Sequence, residues 1–286
     1  MTLTTRAHRE PALTLRPLSG ALGAEVIGID LSRPLDDAAF AAVHAAFLDH
    51  IVLLFRDQEM TPAQQVAFTR RFGPVEPHPL HSRRGLDGHP EILVLENRSG
   101  LPGARNDFWH SDISFGAVPP LGSVLRAIEV PEGRGDTMFC NMYAAYAAHS
   151  PALRRMLDGL TAEHSAERLA ARNAEAASDG LPIPDVPPPV THPVVRTHPE
   201  SGRKALYVNP YFTRRFSGMR DDESRPLLDY LCAEAVRPEN VYRHRWRKGD
   251  VLMWDNRCAM HYAVLDYDDS VMRLMHRTTA AGDRPI

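Results

Sequence analysis

The sequence is poor in cysteine, which limits the cross-links and metal sites that it can form. Its 286 residues include three cysteines, Cys140, Cys232 and Cys258, which are far apart and form no CxxC pair. An odd, scattered set of thiols indicates neither a disulfide framework nor a thiolate zinc site. We therefore expect a reducing compartment and a cytoplasmic protein.

The sequence also lacks an excess of basic residues and any long apolar run. There are 33 Lys and Arg against 36 Asp and Glu, giving a net charge of −3. Because binding to nucleic acid or an anionic membrane depends on excess positive charge, we expect neither partner. No window approaches the roughly 20 apolar residues that span a bilayer, and the first residues lack the apolar stretch of a secretion signal.

What the sequence does contain is typical of a globular protein. Hydrophobic residues make up 43% and charged residues 24%, which excludes a chain that is disordered throughout. At roughly 150 residues per domain the length fits one or two domains. From Glu91 onward, short β-like runs alternate with turns and two helical patterns. This pattern favours a mixed α and β fold with a closed or sandwiched β core and flanking helices.

Local patterns predict individual elements. Thr61 as N-cap, Pro62 at the first helical position and Gln64 as the third residue of a capping box predict a helix to about Arg71. The other predicted helices cover residues 37–48, 151–160 and 222–236. The predicted strands cover residues 24–30, 51–55, 92–95, 123–130, 206–209, 251–254 and 271–279.

The segment 168–193 lies between the last two predicted helices and ends in a proline-rich stretch. Because proline fixes φ and lacks an N–H donor, we expect neither a strand nor an unbroken helix over the whole segment. Long loops of this kind are often mobile lids, and equally often simple surface loops. Both interpretations stay open.

A candidate metal site begins with the triplet His110-Ser111-Asp112. On a strand, residues two apart project to the same face, so the imidazole and the carboxylate would converge. With 14 histidines in the chain, a single HxD triplet is weak, and a surface His near an Asp is the commoner explanation. His261, after an apolar strand and a turn, supplies a third ligand. Two histidines and one carboxylate form the facial triad of non-haem iron(II) oxygenases.

Two arginines follow this third ligand on one predicted strand. Arg273 and Arg277 share a face because they are four residues apart. Inward-facing guanidinium groups need anions, and a dicarboxylate co-substrate together with an anionic substrate would satisfy both. A solvated edge strand is the alternative for either arginine alone. A zinc hydrolase built on the same triad would not require them, and Cys258 as an additional ligand is less favoured than Cys258 as a core residue.

These motifs together resemble the iron(II)/2-oxoglutarate-dependent dioxygenases of the taurine dioxygenase and phenoxyacetate dioxygenase group. The matching elements follow the family order over nearly the whole chain. They are Leu22–Asp30, Arg71–Gly73, Trp109–Asp112, Gly135–Thr137, His198–Pro199 with Gly202, Trp254–Asn256, His261–Tyr262 and Arg273–Arg277. The resemblance implies a single domain over residues 1–286 with a double-stranded β-helix, or jelly-roll, core.

The resemblance also implies roles for individual residues. His110, Asp112 and His261 would bind Fe(II), while Thr137 and Arg273 would hold the distal carboxylate of 2-oxoglutarate. The substrate anion would be held by His78, Asn106 and Arg277, with Phe212 in the aromatic wall of the pocket. The chain departs from the taurine enzyme at His81, in place of a tyrosine, and at Phe108, in place of an asparagine, and both changes alter the pocket.

The activity implied is hydroxylation of the carbon next to the leaving group of a small anionic substrate, with dioxygen consumed and succinate, CO2 and a carbonyl product formed. A taurine-like sulfonate or an alkyl sulfate is favoured as substrate. An aryloxyalkanoate dioxygenase of the same family is the first alternative. A non-catalytic jelly-roll binding protein is the alternative from another class. Relatives commonly form dimers or tetramers, so a homo-oligomer is expected.

Overall fold

The computed structural model describes residues 13–77, 85–99, 106–176 and 186–286. In these ranges the helices are α1 Asp37–His50, α2 Pro62–Arg70, α3 Met142–Ala147, α4 Pro151–Leu157, α5 Glu167–Ala176 and α6 Asp221–Ala235. The strands are β1 Thr14–Pro17, β2 Ala24–Ile27, β3 Val52–Phe55, β4 Gly85–Leu86, β5 His89–Asn97, β6 Gly122–Glu129, β7 Thr137–Asn141, β8 Thr161–His164, β9 Val190–Pro193, β10 Val195–Thr197, β11 Lys204–Leu206, β12 Thr213–Phe216, β13 Val241–His244, β14 Val251–Asp255, β15 Ala259–Ala263 and β16 Arg273–Ala280.

The strands form one large sheet and several small ones. The large sheet has the order β1-β2-β3-β14-β6-β16-β5-β4, and a three-stranded sheet has the order β13-β7-β15. A second three-stranded sheet, β12-β8-β9, and the pair β10-β11 complete the described strands. The predicted mixed α and β fold with flanking helices is confirmed. A double-stranded β-helix is our interpretation of the two sheets that enclose the site.

Helix starts follow the caps that the sequence predicts. The Thr61 hydroxyl accepts a hydrogen bond from the Gln64 amide at 3.3 Å, and the Gln64 side chain accepts one from the Thr61 amide. Two otherwise unpaired N–H groups at the start of α2 are thus satisfied. Helix α1 ends at His50, and its C-cap Ile51 has a positive φ of 69°, so β3 begins one residue later than predicted.

The large sheet buries both of its faces. One face packs against α1 and α2 through a hydrophobic cluster that includes Phe47, Phe68 and Val124. The opposite face packs toward β7 and β15 through a cluster that includes Phe139 and Trp254. The site described below lies on this second side.

The segment 168–193 is not one continuous loop. Its first residues belong to α5, because the Ala, Glu and Arg residues there favour a helix, and its last residues form β9. Residues 177–185 lie outside the described ranges, so a lid formed by the segment 168–193 stays a prediction. The strand predicted for 206–209 is wrong except at Leu206, because β11 covers Lys204–Leu206 and ends there. No helix in the described part of the chain is long and apolar enough to cross a bilayer.

Candidate active site

The three predicted metal ligands meet at one buried point. Nε2 of His110 and Nε2 of His261 each lie 3.7 Å from Oδ1 of Asp112. The two imidazole rings are 4.1 Å apart between centroids, and all three side chains are buried. Residues separated by up to 151 positions in the sequence therefore present three donor atoms to a common point.

The backbone brings these ligands together differently from the prediction. His110 and His261 form an isolated antiparallel bridge, with N–O distances of 3.0 and 2.8 Å in the two directions. Asp112 lies in a turn and not on a strand, so the predicted strand over the HxD triplet is wrong. The chain turns because Ile113 has a φ of 49°, in the left-handed region, and this brings the carboxylate toward the imidazoles.

The protonation state of the two histidines suits a metal ion. Nδ1 of His110 lies 2.9 Å from the carbonyl oxygen of Phe108, which can only accept, so Nδ1 carries the proton and Nε2 keeps its lone pair. Burial lowers the pKa of His110, and burial followed by the neighbouring His110 holds the pKa of His261 well below its usual value. Neutral imidazoles beside a carboxylate fit a divalent cation, and three ligands leave coordination positions open.

The second oxygen of Asp112 is held by side chains on the large sheet. Nη2 of Arg277 on β16 lies 2.7 Å from Oδ2, and the Ser123 hydroxyl on β6 donates to the same oxygen at 3.2 Å. Nε of Arg277 in turn donates to the Ser123 oxygen at 3.2 Å. This arrangement directs Oδ1 toward the histidines. Ser123 was not identified from the sequence, because a single serine at the start of a strand carries no pattern.

A cavity beside the metal point lies between the large sheet and the β13-β7-β15 sheet. Its lining includes His261, Thr137, Arg273, Arg277 and Asn106, as predicted. Tyr267 and Trp254 also line it and were not predicted as pocket residues; Trp254 packs against the His261 ring at 4.8 Å.

The part of the cavity lined by Thr137 and Arg273 offers hydrogen-bond donors for a carboxylate. The Thr137 hydroxyl oxygen accepts a hydrogen bond from Nε1 of Trp246 at 2.9 Å, which leaves its own O–H free to donate. Nη2 of Arg273 donates weakly to the Gly135 carbonyl at 3.4 Å, while Nε is buried and forms no hydrogen bond within the described residues. Burial lowers the pKa of Arg273. A guanidinium in this position gains most from an anionic ligand, so these residues fit the distal carboxylate of 2-oxoglutarate.

The residues predicted for the primary substrate are brought together in part. Asn106 and Arg277 line the cavity, and the Asn106 carbonyl accepts from the Ala263 amide at 3.1 Å. Phe212 is buried and its ring lies 6.0 Å from that of His110. His78 lies outside the described residues, as does His81.

An aromatic wall, Phe108, Phe115, Tyr211 and Phe212, borders the His110 side of the metal point. Phe108 stacks on Tyr211, and Phe212 packs against Phe115 at 4.9 Å between centroids. Arg172 on α5 pairs with Asp107 at 2.6 Å and lies over the Phe108 ring. These rings give the His110 side of the metal point an apolar surface.

Cys258 belongs to a second buried group with His198 and Asp255. Asp255 accepts from Nη2 of Arg257 at 2.7 Å and from Nε2 of His198 at 3.0 Å, so its charge is already balanced. Burial raises the pKa of the Cys258 thiol well above its usual value, which disfavours the thiolate that a metal would need. The interpretation of Cys258 as a core residue is confirmed.

Comparison with known proteins agrees with this geometry. Residues 14–279 match the family model described as taurine catabolism dioxygenase TauD, TfdA family. The chain is 36% identical to the alpha-ketoglutarate-dependent sulfate ester dioxygenase of Pseudomonas putida, over 96% of this chain and 91% of that protein. It is also 36% identical to the alpha-ketoglutarate-dependent 2,4-dichlorophenoxyacetate dioxygenase of Cupriavidus pinatubonensis, over 96% of this chain and 100% of that protein. The crystal structure of a taurine dioxygenase from Burkholderia xenovorans superposes with a TM-score of 0.82 at 36% identity, covering 96% of this chain and 93% of that chain.

Proposed function

The chain belongs to the TauD/TfdA family of iron(II)- and 2-oxoglutarate-dependent dioxygenases, and from this premise we propose that it oxidises a small anionic organic substrate at the carbon next to the leaving group. The favoured substrates are alkyl sulfates and taurine-like sulfonates. Hydroxylation at that carbon gives an unstable product, which breaks down to a carbonyl compound and sulfate or sulfite. The co-substrate 2-oxoglutarate becomes succinate and CO2.

In this proposal His110, Asp112 and His261 hold the iron, and Thr137 and Arg273 hold the distal carboxylate of 2-oxoglutarate. The bound iron and 2-oxoglutarate supply the oxidising chemistry with dioxygen. One observation carries the assignment: three donor atoms of the facial-triad type lie together beside a cavity lined by Arg273, whose Nε is buried and has no hydrogen-bond partner in the described part of the chain. The protein's own contribution is to orient the reactants and to exclude water.

The substrate head is assigned to Arg277, Asn106 and His78. Arg277 lies within ion-pair distance of the metal ligand Asp112, so an anion bound to it is held beside the metal point without being a ligand itself. The aromatic wall supports an apolar tail on the other side. An alkyl sulfate matches this combination better than taurine, because its longer apolar chain would bury more apolar surface against the rings.

Removal of the Arg277 guanidinium tests the anchoring role. In Arg277→Ala we expect the KM of the best substrate to rise by roughly tenfold or more, because a charged hydrogen bond is worth about 1.5–3 kcal/mol. Succinate formation should also become uncoupled from product formation, since the target carbon is no longer fixed. The measurement is the ratio of product to succinate at several substrate concentrations.

Arg126→Ala is the matched control for this experiment. Arg126 follows Leu125 on β6, and Leu125 lines the cavity. Because successive side chains of a strand point to opposite faces, the Arg126 side chain lies on the other face of the sheet. Full coupling in Arg277→Ala would contradict the anchoring role, and equal uncoupling in both variants would assign the effect to the sheet as a whole.

The activity itself is tested by succinate release under air, with Fe(II), ascorbate and 2-oxoglutarate. The candidate substrates are medium-chain alkyl sulfates, taurine and other sulfonates, and aryloxyalkanoic acids. We expect substrate-stimulated succinate formation, strongest with an alkyl sulfate. Absence of any succinate above the metal-free control would contradict the enzyme assignment and favour a non-catalytic binding protein.

An aryloxyalkanoate dioxygenase is the second candidate. The similarity to a 2,4-dichlorophenoxyacetate dioxygenase favours it, and the aromatic wall accommodates a phenyl ring as well as an alkyl chain. Release of a phenol instead of sulfate in the same assay distinguishes the two.

We further propose that the protein works in the cytoplasm as a homo-oligomer, either a dimer or a tetramer, without nucleic-acid or membrane partners. The near-neutral charge balance supports the absence of such partners. Size-exclusion chromatography with light scattering measures the assembly directly, and a monomer at micromolar concentration would contradict it.

A further inference from the structure

The carboxamide of Asn256 pairs with the main chain of the metal ligand Asp112. Its Oδ1 accepts a hydrogen bond from the Asp112 amide at 2.6 Å, and its Nδ2 donates to the Asp112 carbonyl at 2.9 Å. The same Nδ2 donates to the Pro120 carbonyl at 3.1 Å. Asn256 is fully buried, so no water competes for these bonds.

The position of Asn256 in the fold links all three ligands. Asn256 lies in the turn between β14 and β15, and β15 carries His261. The backbone bridge between His110 and His261 fixes the first pair of ligands. At Asp112 the Asn256 carboxamide bonds to both the N–H and the C=O of the main chain, as a peptide group of a neighbouring strand would. A carboxamide can do this because it offers the same donor and acceptor as a peptide group.

The backbone after Asp112 needs such support. Ile113 is β-branched and has a φ of 49°, a region that such residues rarely adopt. That conformation persists only where neighbouring contacts determine it. The paired Asn256 carboxamide on one side and the bond from the Gly116 amide to the Ile113 carbonyl at 2.8 Å on the other provide those contacts.

We propose that Asn256 is a positioning residue for the metal site, which fixes the backbone of Asp112 so that Oδ1 faces the two imidazole nitrogens. Asn256 touches none of the reacting groups and acts through Asp112. The inference rests on the proposed metal site, and it adds to that site a residue whose loss changes metal affinity. Ser123 and Arg277 orient the carboxylate, and Asn256 orients the chain that carries it.

A purely structural role would make Asn256 equivalent to any buried asparagine. Asn240 is the matched control, because it is also buried and its Nδ2 donates to the carbonyls of Glu234 and Ala235 at 3.5 and 3.2 Å. It lies in the short 3-10 turn Pro238–Asn240 between α6 and β13, and these two hydrogen bonds go to the last turn of α6 and not to a candidate ligand. Loss of either carboxamide should lower the melting temperature, but only one should affect the metal.

The experiment measures the dissociation constant of Mn(II), from the electron paramagnetic resonance signal of the free ion, in the purified full-length chain. In Asn256→Ala we expect Mn(II) binding to weaken by about tenfold or more, the usual effect of removing a partner that orients a ligand. Asn240→Ala should bind Mn(II) as the unaltered chain does. If Asn256→Ala does not melt cooperatively, the Mn(II) dissociation constant is measured on Asn256→Ser, which is a smaller change.

The inference is overturned if the folded Asn256 variant loses less than about tenfold in Mn(II) affinity. It is also overturned if Asn240→Ala loses as much affinity as the Asn256 variant does. Failure of the metal site and failure of the positioning role give different results. If the unaltered chain itself does not bind Mn(II), the metal site is wrong; if it binds and the Asn256 variants bind equally well, the positioning role alone is wrong.

Discussion

The two carboxylate oxygens of Asp112 have different neighbours. Oδ1 faces the imidazole nitrogens, while Oδ2 receives Arg277 and Ser123. A carboxylate held in this way presents one oxygen to a metal, so its geometry is fixed before any ion arrives. Because Arg277 also lines the cavity, the residue proposed to bind the substrate anion is in direct contact with a metal ligand. Occupancy of the substrate pocket is therefore coupled to the charge around Asp112.

The residues that could be identified from the sequence were those whose chemistry is unusual for their place. Histidines, an aspartate and paired arginines next to apolar strands stand out against a hydrophobic background, and the structure brings them together. Ser123 and Asn256 could not be assigned a role in this way. Ser123 bonds to Asp112, which is 11 residues away, and to Arg277, which is 154 residues away, while Asn256 bonds to Asp112 across 144 residues. No local pattern encodes such contacts.

Thr137 provides a prediction at the residue scale. Its hydroxyl accepts from Trp246 and is free to donate, so Thr137→Val should raise the KM for 2-oxoglutarate by about tenfold, the value of one hydrogen bond to a charged group. The kcat should change much less. Thr137→Ser keeps the hydroxyl and is the control. Equal KM values for the valine and serine variants in steady-state succinate assays would contradict the assignment.

Among the elements, the starts of α1, α2, α4 and α6 were predicted well, whereas α3, α5 and the turn at the metal-binding triplet were not. A cap depends on residues that are close in sequence. Thr61, Pro62 and Gln64 lie within four positions, so the contact between Thr61 and Gln64 does not depend on tertiary structure. The turn at Asp112 is different, since it depends on the left-handed Ile113 and on the distant Asn256. A strand was the natural expectation for alternating residues, and tertiary contacts overrode it.

The capping box of α2 gives a prediction at the element scale. Thr61→Ala removes the acceptor for the Gln64 amide and should lower the free energy of unfolding by about 1 kcal/mol. Urea denaturation measures this change. Thr61→Ser keeps the acceptor and should stay close to the original stability. Alanine and serine variants of equal stability would show that the box contributes nothing.

At the scale of the whole molecule, the order of strands could not be predicted from the sequence. Strand β14 lies between β3 and β6, and β16 lies between β6 and β5, so neighbours in the large sheet are distant in the chain. Apolar alternation identifies which residues face inward but not which strand pairs with which. The mixed fold and the shared face of Arg273 and Arg277 followed from the pattern. The closing of two sheets around them did not.

Buried histidines make the stability of the whole molecule depend on pH. Burial, followed by the nearby His192, lowers the pKa of His164 from its ordinary value of 6.5 to about 3. The unfolded chain takes up this proton near pH 6.5, whereas the folded chain does so only near pH 3. The folded state therefore loses stability as the pH falls through that interval.

His164→Gln should remove this contribution. Between about pH 7.5 and about pH 5.5 the original chain should lose about 1.4 kcal/mol more than the variant, the value of one pH unit below the unfolded pKa. Urea denaturation at the two pH values measures the difference. Parallel losses in the two proteins would mean that His164 titrates normally in the folded state.

The bridge between His110 and His261 also has a consequence for biosynthesis. His261, Arg273 and Arg277 are translated well after His110 and Asp112. A nascent chain thus carries an incomplete set of candidate ligands until His261 has been added. We therefore expect a divalent ion to be captured only after that point, and a chain that stops before His261 to lack the third ligand.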